Sequence, residues 1–208
     1  STPVAELIAA VPELAHLATV TTDQPFNLDS KDFTPGHWLA LARTAQAHLD
    51  NPAVDAVVIT HGTDTLEETA FFLHLTLVTA KPVVMTAAMR PASALSADGP
   101  MNLYQAVAVA VTPAAAGVGV LVVAADRIYG ARSVTKRHTQ AADALGVIEG
   151  GPVGWANPPR FTFAPVDLSR GALPLARLAG LDRLPEVEIV YVAAGSNPAL
   201  LLAAIAAG

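Results

Sequence analysis

The sequence predicts an α/β fold in which a mainly parallel sheet is flanked by helices. Short apolar, β-branched runs alternate along the chain with helical stretches, as in βαβ units. The 208 residues are 52% hydrophobic and 14% charged, which is typical of a compact globular protein. Polar residues also gather directly after one predicted strand, where ligands bind in parallel sheets.

The first elements are marked by prolines and capping residues. Residues 4–15 have helical spacing interrupted by a proline, and residues 18–22 predict a short strand. Thr34 followed by Pro35 is typical of an N-cap and a first helical position, so we expect a helix from there to about residue 49.

A repeated strand and helix pattern fills the middle of the chain. Apolar, β-branched runs predict three strands, and each pair of strands is separated by a stretch with helical spacing. The strands are expected at residues 54–60, 83–86 and 118–124, and the helices at residues 66–79 and 102–111.

The pattern changes after the third of these strands. Residues 126–139 are polar and rich in arginine, and predict a hairpin that leaves the sheet. A strand at 187–192 and a helix at 198–207 cannot bury a core alone, so they predict the start of a second, smaller α/β domain that is cut short. The predicted division is a catalytic domain at residues 1–163, a proline-containing linker at 164–185, and the start of the second domain at 186–208.

Composition excludes several classes of function. A net charge of −6 argues against binding nucleic acid, which needs clustered Lys and Arg. We find no stretch of about 18 apolar residues, so we expect no membrane span. Without Cys there is no thiolate chemistry, and the six His lack metal-ligand spacing. Nucleotide-binding glycine motifs are also missing. We therefore expect a small-molecule partner, no metal and no cofactor.

Residues 57–69 are the most informative stretch of the sequence. A β-branched run ends at a glycine, presents Thr63 and Asp64, and then becomes helical. Thr65 with Glu68 predicts a capping box, so the positive end of a helix should lie directly behind the pair. From these residues alone, Thr63 and Asp64 fit a catalytic pair and a simple helix cap equally well.

Four segments of the chain resemble the bacterial L-asparaginases of the asparaginase/glutaminase family. The match extends over nearly the whole chain, and the motifs follow the family order. The segments are Asn27-Leu28-Asp29-Ser30-Lys31-Asp32, His61-Gly62-Thr63-Asp64-Thr65 with Glu67-Glu68-Thr69, Met89-Arg90-Pro91 with Ser96-Ala97-Asp98-Gly99-Pro100 and Asn102-Leu103, and Ser133-Val134-Thr135-Lys136.

The resemblance implies a role for several polar positions. Thr63, Asp64 and Lys136 would form a triad that acts on a substrate amide, and Asp64 would also hold the substrate α-amino group. Ser30 would bind the α-carboxylate, and the backbone carbonyl of Ala88 would accept a hydrogen bond from the amide. These residue types suit the task, because amide hydrolysis needs a nucleophile, a base and donors for the oxyanion.

Two lysines need separate consideration. Lys136 can act as a base only when its amine is uncharged, which burial or a neighbouring Arg132 or Arg137 would favour; the alternative is a solvated lysine on a hairpin. Lys31 stands where the family usually has Gln. It could bind the substrate carboxylate but would repel the ammonium group held by Asp64, so the preference for Asn over Gln stays open.

The implied function is an amidohydrolase that converts L-asparagine to L-aspartate and ammonia by Thr-based nucleophilic catalysis. The resemblance also implies a homodimer or homotetramer with a site shared between subunits. A start without a signal-like stretch favours the cytoplasm over periplasmic or secreted locations.

The family has a first catalytic Thr in a Thr-Gly-Gly-Thr-Ile motif, which this sequence lacks, and a longer second domain. We therefore expect these residues to be part of a longer protein. The alternative to a longer protein is a truly truncated product, in which Thr63 and Lys136 would lack their partner nucleophile. The alternative to an amidohydrolase is a non-catalytic amino-acid-binding or scaffolding member of the fold. An amidotransferase subunit acting on charged transfer RNA is less consistent with the missing basic patch.

Overall fold

The centre of the molecule is a six-stranded mixed sheet. The computed structural model describes residues 3–162, 173 and 175–207. The strands of the described part of the chain, of which all but β5 and β6 belong to the six-stranded sheet, are β1 (Val57–Thr60), β2 (Val83–Thr86), β3 (Val120–Ala124), β4 (Arg127–Gly130), β5 (Val134–Lys136), β6 (Leu145–Val147), β7 (Gly154–Ala156) and β8 (Pro159–Phe161). Its α-helices are α1 (Val4–Ala9), α2 (Pro35–Asp50), α3 (Leu66–Thr76), α4 (Gly99–Ala110) and α5 (Ala199–Ala207). Short 3₁₀ helices lie at Pro12–His16, Ser30–Asp32, Pro113–Ala115 and Leu175–Leu178.

The sheet confirms the predicted α/β class. Its strand order is β1-β2-β3-β4-β7-β8, and the first three strands are parallel and in register. The remaining pairs of this sheet are antiparallel. The β3–β4 pair is antiparallel because a tight turn at Ala125 and Asp126 joins these two strands directly. Both turn residues have positive φ, 49° and 64°, which is typical of a type I′ hairpin turn. The parallel part of the sheet is therefore the part that precedes this turn.

Helices cover both faces of the parallel strands. Successive side chains of a strand point to opposite faces, so Met85 packs with Leu73 of α3 on one side, while Val84 packs with Val109 of α4 on the other. Because both faces are covered, β2 and β3 are buried along their whole length. This packing fixes the carboxyl ends of β1 and β2, from which the candidate site is built.

The hairpin predicted at residues 126–139 does not leave the sheet as a unit. Its first half, β4, stays in the main sheet beside β3, and only β5 leaves to pair with β6. Strand pairing at β4 satisfies backbone groups that would otherwise be buried without partners, which explains the difference. The second half of the predicted hairpin therefore contributes one strand, β5, to a separate two-stranded sheet whose other strand is β6.

Two predicted strands are not formed. Residues 18–22 and 187–192 pair with no strand in the described part of the chain, and a strand needs a partner for its backbone groups. In the second run, Val187, Ile189 and Tyr191 are exposed. The helix predicted after it is present as α5.

The domain division proposed from the sequence stays a prediction. Much of the expected linker, at residues 164–172 and 174, lies outside the described residues. Within the part that is described, no helix is long and apolar enough to cross a membrane.

Candidate active site

The candidate site lies where β1 and β2 end side by side. Beyond β1, the backbone N–H of His61 donates to the carbonyl of Thr86 (2.9 Å), which extends the pairing of the two strands by one residue. The chain then turns through Thr63 and Asp64 and enters α3 at Leu66. The amino end of α3, with its positive potential, therefore follows the two polar residues directly.

The side chains of Thr63, Asp64 and Lys136 meet at this turn. The Lys136 Nζ lies 2.9 Å from Thr63 Oγ1 and 2.6 Å from Asp64 Oδ1. The lysine side chain is 18% exposed and that of Asp64 is 52% exposed, so the amine lies under a carboxylate that still faces solvent. A hydroxyl, an amine and an acid thus converge from positions more than 70 residues apart in the sequence.

A carboxylate on α3 holds the strand that carries Lys136. One oxygen of Glu67 accepts from the hydroxyl of Thr135 (2.9 Å), and the other accepts from the backbone N–H of Lys136. Sequence reasoning did not single out Glu67. The arginines considered as neighbours of the amine have partners of their own: Arg132 lies 5.5 Å over the ring of Phe71, and Arg137 donates to the carbonyl of Val147 (3.3 Å).

Ser30 reaches the same turn from the other side. Its side chain is buried, its Oγ accepts from the backbone N–H of Asp64 (3.2 Å), and its carbonyl accepts from the Thr65 hydroxyl (2.8 Å). A Cβ added to Gly62 would lie 2.5 Å from Ser30 Oγ. Glycine is therefore required for this close approach of the two loops.

The capping box predicted between Thr65 and Glu68 is wrong. Thr65 is the N-cap residue of α3, but its side chain makes no capping hydrogen bond. The hydroxyl is used for the carbonyl of Ser30 instead, and this contact ties the Ser30 loop to the start of the helix.

Lys31 points to its own loop. Its Nζ lies 2.9 Å from an oxygen of Asp29 and 3.3 Å from one of Asp32, and its side chain is 62% exposed. Hydrogen bonding to these carboxylates raises the pKa of Lys31, and the lysine in turn lowers the pKa of Asp29. The charge of Lys31 is thus already balanced locally.

The loop that contains Ala88 is fixed on both sides. Asp98 accepts from the backbone N–H groups of the two residues after Ala88 (2.9 Å each), and Asn102 donates to the carbonyl of the residue before it (2.9 Å). Arg90 also donates to the Ser96 hydroxyl (3.0 Å), so Ser96 and Asp98 both help to fix the loop. Ala88 itself is exposed at the end of β2.

A chain of hydrogen bonds supports the turn from behind. Trp38 Nε1 donates to Thr69 Oγ1 (2.9 Å), which lies 3.2 Å from His61 Nε2, and His61 Nδ1 lies 2.8 Å from the carbonyl of Gly62. Because a carbonyl only accepts, His61 carries its proton on Nδ1. Burial lowers the pKa of His61, so the ring is neutral at pH 7.

The family model for the N-terminal region of asparaginases ("Asparaginase, N-terminal") matches residues 1–165. The chain belongs to the asparaginase family. In this asparaginase-family chain, no three His, Asp or Glu side chains come close enough to hold a metal ion; this holds for residues 3–162, 173 and 175–207.

Several named asparaginases are similar to the chain. L-asparaginase 2 of Bacillus subtilis is 42% identical over 205 residues, which are 99% of this chain and 55% of that protein. A probable periplasmic L-asparaginase of Haemophilus influenzae is 41% identical over 186 residues, 89% of this chain and 53% of that protein. The crystal structure of a probable cytoplasmic L-asparaginase from Campylobacter jejuni matches with a TM-score of 0.91 and 37% identity, over 100% of this chain and 64% of that one.

The chain thus spans a little over half the length of the curated relatives it matches. Of the site residues predicted from the sequence, hydrogen bonds join Thr63, Asp64, Lys136 and Ser30 into one group. Ala88 lies at the end of the neighbouring strand. Lys31 follows Ser30 in the chain, but its amine contacts Asp29 and Asp32.

Proposed function

We propose that this chain carries the catalytic part of an amidohydrolase that converts L-asparagine and water to L-aspartate and ammonia. The contact of the Lys136 amine with Thr63 Oγ1 at 2.9 Å and with Asp64 Oδ1 at 2.6 Å is the observation that carries the proposal. A hydroxyl paired with a basic side chain, which is itself oriented by a third group, is the arrangement that activates a nucleophile. The reaction needs no cofactor.

The proposed chemistry moves one proton within this group. The uncharged Lys136 amine takes the hydroxyl proton of Thr63, or of a water beside it, and the resulting oxygen adds to the carbonyl carbon of the substrate amide. The proton then passes to the leaving nitrogen, which departs as ammonia. Attack by Thr63 leaves an ester that water hydrolyses, whereas attack by water gives aspartate directly. The amino end of α3 stabilises negative charge that develops beside it.

Substrate selection is assigned to the neighbouring groups. An amino acid carries its ammonium and its carboxylate on the same carbon, so groups that recognise it must be adjacent. Asp64 and Ser30 are adjacent, because the Asp64 N–H donates to Ser30 Oγ (3.2 Å). The exposed carboxylate of Asp64 would bind the ammonium, and the Ser30 hydroxyl, which still has its hydrogen to donate, would bind the carboxylate.

Two further positions complete the proposed site. The carbonyl of Ala88 would accept from the amide nitrogen of the substrate. Lys31 would add a positive charge beside the α-carboxylate, at the cost of its present pairing with Asp29 and Asp32.

We also propose a homodimer or homotetramer that shares its site between subunits, with residues 186–208 beginning a second domain and residues 164–185 linking the two. Likeness to the Campylobacter jejuni protein, which is called cytoplasmic, supports a cytoplasmic location. Light scattering after size-exclusion chromatography tests the assembly, and cell fractionation tests the location.

Ammonia release tests the function itself. The protein is incubated with L-asparagine and separately with L-glutamine, and ammonia and the amino-acid product are measured together, beside calorimetric binding of both substrates. Equal amounts of ammonia and aspartate are expected from asparagine. Binding of asparagine without any turnover would support a non-catalytic binding protein instead.

A further inference from the structure

We propose that Glu67 is the positioning residue that sets the Lys136 amine against Thr63 and Asp64, an inference that rests on the proposed function for its kinetic consequence. Glu67 lies in the first turn of α3, only a few residues after the two groups that the amine contacts. The Glu67 carboxylate binds the Thr135 hydroxyl and the backbone N–H of Lys136. It is not among the groups assigned above to bind the substrate. Its role is to act through the lysine.

The strand that carries Lys136 has little support of its own. β5 is three residues long and, among the residues that the structure describes, pairs only with β6, which is equally short, in a separate two-stranded sheet. An isolated two-stranded sheet is marginally stable in water, so its position depends on contacts with the rest of the molecule. Val134 supplies one such contact by packing into the core. The Glu67 carboxylate supplies another, at the two residues that follow.

The chemistry of these two contacts requires a carboxylate. The Thr135 hydroxyl and the Lys136 backbone N–H are both donors, and each is received by a different oxygen of Glu67. A glutamine at this position offers one acceptor oxygen, and its NH₂ group would face the second donor. The backbone N–H of Lys136 belongs to the same residue as the amine, so losing this bond directly loosens the lysine that the mechanism uses.

The contact also joins both parts of the catalytic group to one helical turn. Thr63 and Asp64 are held by the entry into α3, and Lys136 is held by the first turn of α3 through Glu67. The distance between residues that are 73 positions apart is thereby fixed through a single element. Hydrogen bonds that involve a charged acceptor are the stronger class, which suits this task.

The test compares Glu67→Gln with Glu68→Gln, a matched control in which the exposed neighbouring glutamate is changed in the same way. For Glu67→Gln we expect kcat with L-asparagine to fall about 10- to 100-fold while KM stays within about threefold, the pattern of a lost positioning contact. We expect the amide hydrogen of Lys136 to exchange with solvent at least about 10-fold faster, since its acceptor is gone. Glu68→Gln should change neither quantity.

A second variant separates positioning from general destabilisation. Thr135→Val removes the hydroxyl that donates to Glu67 (2.9 Å) and keeps the shape of the side chain. If Glu67 acts through β5, the double variant Glu67→Gln/Thr135→Val should lose less activity than the two single losses multiplied together. Multiplicative losses, or a Glu67→Gln variant with wild-type kcat and wild-type exchange at Lys136, would overturn the proposal.

Amide exchange also distinguishes this inference from the proposed function. The exchange measurement needs no turnover, so a wild-type protein that releases no ammonia would refute the asparaginase proposal alone. In that case, faster exchange at Lys136 in Glu67→Gln supports the tie between α3 and β5, and unchanged exchange refutes it.

Discussion

Replacing Lys136 with Met separates catalysis from stability at the candidate site. Methionine has a similar length, but it has no charge and no hydrogen-bond donor. The change removes both contacts of the amine, at 2.9 Å to Thr63 and 2.6 Å to Asp64, and leaves the backbone bond to Glu67 in place. The strand should therefore keep its position while the base is lost.

The two expected effects differ greatly in size. Loss of a general base costs about 10²- to 10⁴-fold in rate, or roughly 3–5 kcal/mol in the activation barrier. The contact of Lys136 with Asp64 contributes far less to folding, because the Asp64 side chain is 52% exposed and solvent screens any charge interaction. Such pairs are worth about 0–1 kcal/mol, which corresponds to at most about 2–4 °C in Tm for a domain of this size.

The assay is ammonia release from saturating L-asparagine, beside thermal unfolding followed by circular dichroism. Lys81→Met is the matched control, because that amine donates to the carbonyl of Asn51 (2.7 Å) near the opposite end of β2. Thr63→Ala should behave like Lys136→Met, with a large loss in kcat and a nearly unchanged Tm. Wild-type turnover in Lys136→Met would remove the lysine from the mechanism.

Three further predictions concern substrate binding, loop packing and pH. Asp64→Asn should raise KM for L-asparagine and lower kcat, as shown by steady-state kinetics, because the ammonium loses its counter-charge. Gly62→Ala places a Cβ 2.5 Å from Ser30 Oγ, so urea unfolding should show a loss of about 1–3 kcal/mol, and KM should rise as the loop moves. Burial, and secondarily Arg132, lowers the pKa of His74. Below about pH 6.5 the unfolded chain therefore takes up a proton at this residue that the folded protein does not. The free energy of unfolding consequently decreases as the pH is lowered. In urea unfolding between pH 7.5 and 5.5, His74→Gln should reduce that slope by up to about 1.4 kcal/mol per pH unit.

Each of these has a clear contrary result. An unchanged KM in Asp64→Asn would contradict the ammonium-binding role. Wild-type stability and KM in Gly62→Ala would show that the Ser30 loop does not depend on the glycine. A His74→Gln variant with the same pH slope as the wild type would mean that His74 does not carry the protonation difference between the folded and unfolded states.

The sequence predicted which polar residues come together after β1 better than it predicted the edges of the fold. The place of the polar run follows from local pattern and from the geometry of parallel strands, and its role as a site stays a prediction. The runs at 18–22 and 187–192 have the composition of strands, but composition does not specify a pairing partner, and neither forms a strand. The turn at Ala125 and Asp126 gave only a weak signal, because aspartate tolerates positive φ but no glycine or asparagine accompanies it.

The contacts that hold the site together could not be found in the sequence. Glu67 binds residues 68 and 69 positions away, and two adjacent glutamates at the start of a helix equally suggest a favourable interaction with the helix dipole. The pairing of Lys31 was accessible, by contrast, because Asp29 and Asp32 lie within two residues of it. Contacts between charged neighbours in the sequence could therefore be predicted here, whereas contacts between elements that are distant in the sequence could not.

A crystal structure of the Lys136→Met variant with L-asparagine bound tests the central claim most directly. We expect the substrate ammonium at the Asp64 carboxylate, the α-carboxylate at the Ser30 hydroxyl, and the side-chain amide carbon facing Thr63 Oγ1 at about 3–3.5 Å, the separation of reacting atoms before attack. Asparagine bound elsewhere, or bound here with its side-chain amide pointing away from Thr63, would contradict the account.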